Sequence, residues 1–428
     1  MSSHPTPIFS PSRDLSVSAL AKTIFNAEAP EQYVRTFPAQ SLYLALKHNG
    51  LGSSTDLLEI ASIEQCRIFL DFDLWEKDQF VEANFWEWLA LADEEDDLKH
   101  LARLLKFIDL KIVALIIARH TDIKIVEEKT DQPPGPGYYT PDRGATWIFI
   151  AAEDATRHFL LARFLAYIYE RSPELFYQLI SVSSVQTQSM LEEESYNERN
   201  KRLAAEGIPE PEQAGTMHAP FSSDEARRLL AQHEVHESIS DIRAVEPLVY
   251  HSTEIEPLRT LLSEILSNED FQSELTLIVN AALVYFNVTA HEEKEVFKLV
   301  ASVKGMLNIG LELAAGMAPQ QSLKDIYAPL GAKLLYRLGV TRILRLRRLA
   351  HKISETSLQN RSDATGAILA LSAAKRALPE IPAALKADGT FETPDGTISV
   401  ECKPIETMTE LDSVMKVLGV GDTAATAQ

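Results

Sequence analysis

The chain has 428 residues, 45% of them hydrophobic and 24% charged, and its net charge is −21. This length predicts two or three globular domains, and the acidic surface disfavours general binding to nucleic acid, which is itself a polyanion. The two widely separated cysteines, Cys66 and Cys402, exclude a disulfide framework and a C-x-x-C zinc site.

The expected compartment follows from two features of the sequence. Residues 1–18 are rich in Ser and Pro and lack the apolar segment of a secretory signal peptide. The longest apolar stretches, Ile112–Ala118 and Leu275–Phe286, are far shorter than the ~20 residues that a helix needs to cross a bilayer. We therefore expect a cytoplasmic protein without a transmembrane segment.

The first structured region is predicted to be helical. Residues 1–16 are expected to be disordered, and a helical-repeat domain is expected over residues 17–130. Within it, three weakly similar segments can be laid over one another: Val34–Leu46, Leu58–Leu70 and Leu105–Ile117. In each segment one apolar helix ends, a Pro, Ser or Asp starts the next, and apolar periodicity resumes. Units of this kind predict a solenoid-like stack of helical hairpins.

Residues 131–190 are predicted to form a β-hairpin followed by helices. Gln132–Gly137 contains three prolines and cannot be helical. The β-formers of Tyr138–Thr140 and Thr146–Ile150 flank the turn Pro141–Gly144, which predicts the hairpin. Residues 191–260 are polar and are expected to be a partly helical, mobile connector.

The C-terminal third is again predicted to be helical. A helical domain is expected over residues 261–385, including a helix at Ala364–Leu378. Residues 386–428 are expected to form a hairpin at Asp388–Val400, which has two Asp-Gly steps, then a terminal helix at Glu406–Leu418 and a tail. The predicted fold class is therefore mainly all-α, with one or two small β-hairpins.

Several stretches resemble a known family. Phe37–Leu44, Leu57–Gln65, Phe69–Asp78, Glu192–Pro209 and Leu307–Glu312 resemble a bacterial family of unknown function (number sixty-one seventy-eight). The repeats are in turn similar to the cytosolic N-terminal helical domain of bacterial magnesium transporters. That second resemblance implies a right-handed helical stack that senses magnesium through acidic side chains. Transport itself is excluded, because the transporters' membrane segments are missing.

The first candidate site is acidic. Asp71, Asp73, Glu76 and Asp78 supply the hard oxygen ligands that calcium and magnesium prefer. The EF-hand motif fails, because Glu76 stands where that loop requires glycine. Together with Asp93–Asp97, these carboxylates could still bind magnesium weakly. The alternative is that Asp71 or Asp73 caps a helix while the other carboxylates are solvated.

The second candidate site contains two histidines. His233 and His236 are spaced so that they can share one face of a helix, and His218 and His251 could join them by folding back. The pattern is not H-E-x-x-H, because the second histidine comes one residue early. The polar composition around it equally suits a solvated helix with no metal.

The third candidate is a basic helix at Lys333–Lys352, which carries seven positive charges and no acidic residue. Such an amphipathic helix can bind an anionic partner, and four of its arginines are the candidate partner-binding residues: Arg337, Arg342, Arg345 and Arg348. The alternative is a core helix whose basic face neutralises acidic neighbours in the same chain. In either case Leu335, Leu338 and Leu349 are expected to point inward.

The sequence contains no P-loop, dinucleotide-binding or nucleophile-elbow motif. The function expected from these observations is a non-enzymatic helical scaffold or adaptor, without a cofactor, that contacts an unidentified protein partner. The alternative is a regulatory protein that senses a divalent cation such as magnesium. The third possibility is a metal-dependent enzyme centred on His233 and His236.

Overall fold

The computed structural model describes residues 17–76, 78–93, 98–151, 154–232, 255–265, 269–288, 293–357, 379–383, 385 and 402–418. As predicted, the protein is mainly α-helical, and the strands in these residues form three short antiparallel pairs. The chain divides into two compact units, residues 24–203 and residues 204–428 together with 1–23. The predicted disordered segment 1–16 lies outside the described residues.

The first unit is built from short helices. In chain order they are α1 (Val17–Phe25), which begins before the unit, α2 (Pro30–Val34), α3 (Ala39–Asn49), α4 (Thr55–Ile60), α5 (Ile63–Asp73), α6 (Glu82–Asp93), α7 (Lys99–Phe107), α8 (Leu110–His120), α9 (Ala155–Arg171), α10 (Pro173–Val185) and α11 (Gln188–Ala205), which ends after it. Helix α5 packs against α3 and α7, α6 packs against α7, and α10 packs against α8 and α9. Helices that are close in sequence therefore pack together.

The three repeat segments each contain a turn between two helices. The residue that precedes the second helix is Pro38 before α3, Ser62 before α5 and Asp109 before α8. These are the breaks that the repeat predicted. Ser62 accepts a hydrogen bond from the Gln65 amide, and the Gln65 side chain accepts one from the Ser62 amide, so both free donors at this helix start are satisfied.

One predicted strand pairing is wrong in part. Strand β4 (Thr146–Ile150) is present, but its main partner is β3 (Thr121–Ile125) rather than Tyr138–Thr140, from which only Tyr139 bridges to Ile148. The helical-repeat domain was expected to extend to residue 130, but the helical part ends earlier. Helix α8 ends at His120 because β-branched residues alternate through the following five positions, a strand pattern. A second hairpin pairs two short strands of two residues each, β1 (Trp75–Glu76) and β2 (Gln79–Phe80).

The second unit contains longer helices. They are α12 (Pro211–Met217), α13 (Ser223–Gln232), α14 (Leu258–Ile265), α15 (Glu269–Phe286), α16 (Glu293–Met317), α17 (Leu323–Ser357) and α18 (Met408–Val417). Helix α17 is broken at Gly331, where φ is 61°. The terminal helix is confirmed as α18, and much of the predicted connector is helical in α11, α12 and α13.

Two predictions in this unit concern residues that the structure does not describe: the helix at Ala364–Leu378 and the hairpin at Asp388–Val400. Outside residues 388–400, strands β5 (Glu380–Pro382) and β6 (Cys402–Pro404) pair antiparallel with each other.

Glycines let α16 and α17 come into close contact. A Cβ atom on Gly310 would lie 1.9 Å from the Leu335 carbonyl oxygen, and one on Gly339 would lie 1.9 Å from the Met306 oxygen. Real Cβ atoms cannot approach backbone this closely, so the crossing requires glycine on both helices. An apolar stripe at helical spacing along α16 is also buried: Val296, Val300, Val303, Leu307 and Leu311.

Helix α16 is long and apolar. Among the described residues, Lys294–Met317 is long and apolar enough to cross a membrane by length and composition alone, with a mean hydropathy of 1.2. Its apolar stretch is 67% buried inside the protein, and the helix packs against α14, α15, α17 and α18. A core helix of a folded unit has these same properties.

Candidate functional site

Four arginines of the second unit form a positively charged surface, which we call the arginine face: Arg227, Arg342, Arg345 and Arg348. Arg227 lies on α13, which packs against α17, and the other three lie on α17 at spacings of three residues. At 3.6 residues per turn, this spacing places the three side chains on one stripe of the helix. Arg345 and Arg348 are exposed, and Arg342 is partly buried.

Among the described residues, no carboxylate forms an ion pair with the α17 part of this face, that is, with Arg342, Arg345 or Arg348. Arg227 pairs with its exposed neighbour Asp224 at 2.8 Å. Burial lowers the pKa of Arg342, the positive charges of Arg345 and Arg227 lower it further, and Asp412 opposes them. The protein therefore keeps several like charges together.

Arg337, the fourth arginine predicted to bind a partner, is engaged inside the protein. Its Nε donates to the Ala219 carbonyl oxygen at 2.9 Å, and its Nη2 donates to that of Pro220 at 3.0 Å. The guanidinium also lies 5.6 Å from the centre of the Phe221 ring. As expected, Leu335 and Leu338 are buried, whereas Leu349 is only partly buried.

Asp71, the first predicted metal ligand, is 4% exposed on α5. Arg202 of α11 donates Nε to Oδ2 at 2.8 Å and Nη2 to Oδ1 at 2.7 Å. Arg199 donates to the Asp71 carbonyl oxygen at 2.7 Å. Burial raises the pKa of Asp71, and the hydrogen bonds and charge of Arg202 oppose that rise. Arginine thus occupies both carboxylate oxygens.

Asp73 is 3% exposed and is also fully engaged. Its Oδ1 accepts from the Tyr43 hydroxyl at 2.7 Å and lies 2.5 Å from the Lys47 ammonium, while Oδ2 accepts from the Trp88 indole at 2.7 Å. Burial and the neighbouring Asp73 charge raise the pKa of Tyr43 far above its usual range. The phenol therefore stays protonated and donates.

The structure does not bring the predicted acidic ligands together. Glu76 and Asp78 are exposed at the β1–β2 hairpin, and Asp93 pairs with Arg163 at 3.2 Å. In the part of the chain that the structure describes, no three His, Cys, Asp or Glu side chains are placed to hold a metal ion. A magnesium ion would have to displace arginine from Asp71, or lysine, tyrosine and tryptophan from Asp73. The predicted ligands His233 and His236 lie outside the described residues.

His218 has a structural environment. It is 3% exposed, its Nδ1 lies 2.8 Å from the Ala214 carbonyl oxygen, and its Nε2 lies 2.9 Å from the Tyr336 hydroxyl. Its ring stacks on Tyr285 with centroids 4.0 Å apart. These contacts fit a neutral ring that donates from Nδ1 and accepts at Nε2. Burial lowers the pKa of His218 to about 4.

A second ionic cluster was not predicted from the sequence. Glu82 accepts from the Trp86 indole at 3.0 Å, lies 2.6 Å from His120 Nε2, and accepts from Arg119 at 3.2 Å. Arg119 also donates to Glu192 of α11 at 2.6 Å. Burial acts to raise the pKa of Glu82, but these donors together lower it. The cluster joins α6, α8 and α11, and its only sequence signal was the basic end of α8.

The stretch Leu307–Glu312, which carried part of the family resemblance, contains a buried amide that links three chain segments. Asn308 Oδ1 accepts from the Leu258 amide at 2.9 Å. Its Nδ2 lies within 3.1 Å of the Glu256 carbonyl oxygen, the Glu406 carbonyl oxygen and Glu312 Oε1. Burial raises the pKa of Glu312. These residues therefore have a structural role in holding α14, α16 and the start of α18.

A profile of a family of unknown function (DUF6178) matches residues 11–378, which is most of the chain. No curated protein and no solved structure matches the chain.

Proposed function

The chain belongs to the DUF6178 family of unknown function, and we propose that it is a non-enzymatic helical scaffold or adaptor that binds an acidic protein segment through the arginine face. The observation that carries this proposal is the lack of ion pairs at Arg342, Arg345 and Arg348 within the described residues. The chain contains 62 acidic residues, so carboxylates were available to neutralise this face.

Clustered arginines cost free energy when no anion is near, because like charges repel each other and partial burial removes water from them. That cost falls when a ligand brings carboxylates, since each guanidinium can donate two parallel hydrogen bonds to one carboxylate. The residues that hold the face in place, Leu335 and Leu338, are buried. The arginines are thus presented on a fixed helix.

A short acidic segment fits this face better than a nucleic acid does. A duplex presents charge over a long distance and would meet the repulsion of a chain with net charge −21. A peptide segment can place a few carboxylates on the arginines alone. A scaffold acting in this way needs no catalytic group, which agrees with the structural roles found for Asp71, Asp73 and His218.

The test is charge reversal at the two exposed arginines. We expect the double variant Arg345→Glu, Arg348→Glu to bind a labelled oligo-glutamate peptide at least about tenfold more weakly in fluorescence anisotropy, a loss of about 1.4 kcal/mol. The matched control is Arg171→Glu, Lys201→Glu, which changes the net charge equally at two exposed positions of the first unit. Its affinity for the peptide should equal that of the wild type.

Thermal melting of both double variants excludes unfolding as the cause, and a single-stranded DNA oligonucleotide of the same charge serves as the competing ligand. Peptide binding that both double variants weaken equally would show a general charge effect and would contradict the proposal. Tighter binding of DNA than of peptide would also contradict it. A pull-down from the native host with wild type and the Arg345→Glu, Arg348→Glu variant would then identify the partner.

A further inference from the structure

In the part of the chain that the structure describes, strand β3 pairs with another strand on one side only. It pairs with β4 on one side through the register Thr121↔Ile150 to Ile125↔Thr146. The Ala151 amide donates to the His120 carbonyl at 2.8 Å, and the Val126 amide donates to that of Ala145 at 3.0 Å. In an antiparallel pair, hydrogen-bonded positions alternate, so the backbone groups of residues 122 and 124 face β4.

The backbone groups of Thr121, Ile123 and Ile125 therefore face away from β4. The Thr121 amide donates to the Ile117 carbonyl at the end of α8. For the other outward amides and carbonyls, no hydrogen bond occurs within the described residues. Ile125 is 66% exposed. An open edge of this kind is a template for pairing with another strand.

The side chains of this strand carry opposite charges two residues apart. Asp122 and Lys124 are each about half exposed, and their charged atoms lie 3.1 Å apart. If two copies of β3 pair antiparallel with Ile123 opposite Ile123, Asp122 of each copy stands directly opposite Lys124 of the other. Facing opposite charges stabilise such a pair, and facing like charges destabilise it.

We propose that β3 is a homodimerisation edge, through which two copies of this chain join their β3–β4 pairs into one four-stranded antiparallel sheet. The two-fold axis passes between the two Ile123 residues. Each Ile123 amide then donates to the other copy's Ile123 carbonyl, and each Ile125 amide donates to the other copy's Thr121 carbonyl. This dimer lies in the first unit and does not depend on the arginine face.

The charges select this register. The two copies of β3 can shift relative to each other only in steps of two residues. A shift of one residue would place the outward backbone groups of one copy opposite residues whose backbone groups face β4. A step in one direction places Asp122 opposite Asp122, and a step in the other places Lys124 opposite Lys124. Both bring like charges together. A second copy of the chain, paired with Ile123 opposite Ile123, therefore supplies both backbone hydrogen bonds and side chains of opposite charge to this edge.

The first test is disulfide trapping in a Cys402→Ser background, which removes the exposed thiol. Asp122→Cys protein and Lys124→Cys protein, carrying different tags, are mixed and mildly oxidised. Positions 122 and 124 form a non-hydrogen-bonded pair with Cα atoms about 4.5 Å apart, within disulfide range. The mixed dimer also keeps one native Asp122–Lys124 pair. We expect a crosslinked heterodimer from the mixture and little crosslinking of either protein alone.

The second test is charge exchange, measured by sedimentation over a range of protein concentrations. Lys124→Asp should weaken self-association at least about tenfold, because it places acidic side chains opposite each other. Adding Asp122→Lys should restore it, because the opposite charges face each other again. A wild type that stays monomeric, or a mixture of cysteine proteins that does not crosslink preferentially, would overturn the proposal. So would a Lys124→Asp protein that associates like the wild type.

Discussion

Charged side chains hold together the unit of residues 24–203, whereas glycines and buried amides do so at the centre of residues 204–428. In the first unit, Arg202 joins α11 to Asp71 of α5, and Lys111 of α8 lies 2.6 Å from Glu198 of α11. In the second, Gly310 and Gly339 bring α16 against α17. Long charged side chains fit between the short helices of the first unit, whereas the close contact of α16 with α17 leaves no room for a side chain at either glycine.

The two units also differ in whether particular arginines form ion pairs. In the first unit, the described arginines Arg119, Arg163 and Arg202 each pair with a carboxylate. In the second, Arg342, Arg345 and Arg348 do not pair with a carboxylate of the residues that the structure describes. In the first unit, these arginines therefore connect helices through ion pairs. In the second, the exposed arginines of the arginine face point toward solvent.

The largest expected effect tests the glycine contact. Gly310→Ala places a Cβ atom against the Leu335 carbonyl, and neither backbone can move aside without separating α16 from α17. We expect a loss of about 4 kcal/mol in the free energy of unfolding, measured by urea denaturation followed by circular dichroism. Hydrogen exchange in α16 and α17 would locate the loss.

Gly316→Ala is the matched control on the same helix, since no atom lies within 4 Å of its added Cβ. It should be neutral or stabilise the protein by up to ~1 kcal/mol, because alanine favours a helix over glycine. Equal losses for both variants would show that helix propensity, rather than the close contact, explains the result.

The next effect tests the ionic centre of the first unit. Arg202→Ala leaves Asp71 buried without its cation, and we expect a loss of about 3 kcal/mol. Lys201→Ala, at an exposed position next to it on α11, should change the stability by less than ~0.5 kcal/mol. Tryptophan fluorescence follows this unit specifically, because all four tryptophans lie within residues 24–203. A small effect at Arg202 would mean that water replaces the guanidinium at Asp71.

The sequence predicted what depends on local pattern. Helix starts after Pro38, Ser62 and Asp109 were recognisable, because capping residues act on their own helix. The buried stripe of α16 also follows a local pattern, because its apolar residues recur every three or four positions. A metal site was predicted at Asp71 and Asp73 because their spacing resembles that of metal ligands. The spacing does not show that side chains of the same protein already bind these carboxylates.

Contacts between distant residues were not predictable. Arg202 lies 131 positions after Asp71, and one sequence contains no signal that links the two. The glycine contact was missed for a related reason, since a glycine within a helical pattern does not show which backbone approaches it. The strand β3 was missed because it follows α8 without a turn residue.

A third prediction concerns pH in the second unit. The pKa of His218 is lowered to about 4 in the folded protein, against about 6.5 in an unfolded chain. Between these values the unfolded state binds more protons, so stability falls as the pH falls from 6.5 toward 4. We expect His218 to account for a loss of about 2 kcal/mol by pH 5.

The measurement compares urea denaturation of the wild type and His218→Gln at pH 7 and pH 5. Other groups titrate in both proteins, so the difference between the two pH dependences isolates the histidine. His218→Gln should be less stable at pH 7, because the contacts with Tyr336 and Tyr285 change, yet it should lose less stability on acidification. If the stabilities of the wild type and His218→Gln changed equally with pH, protonation of His218 would not lower the free energy of unfolding, which would contradict the prediction.

The smallest expected effect is at the arginine face. Arg345→Ala should change the free energy of unfolding by less than ~0.5 kcal/mol, because the side chain is exposed and forms no ion pair in the described residues. Arg337→Ala on the same helix should cost about 1 kcal/mol, since it loses hydrogen bonds to two carbonyl oxygens. Both are read by urea denaturation under identical conditions. If Arg345→Ala cost as much as Arg337→Ala, Arg345 would have an intramolecular partner, and the argument that this face awaits an acidic ligand would lose its support.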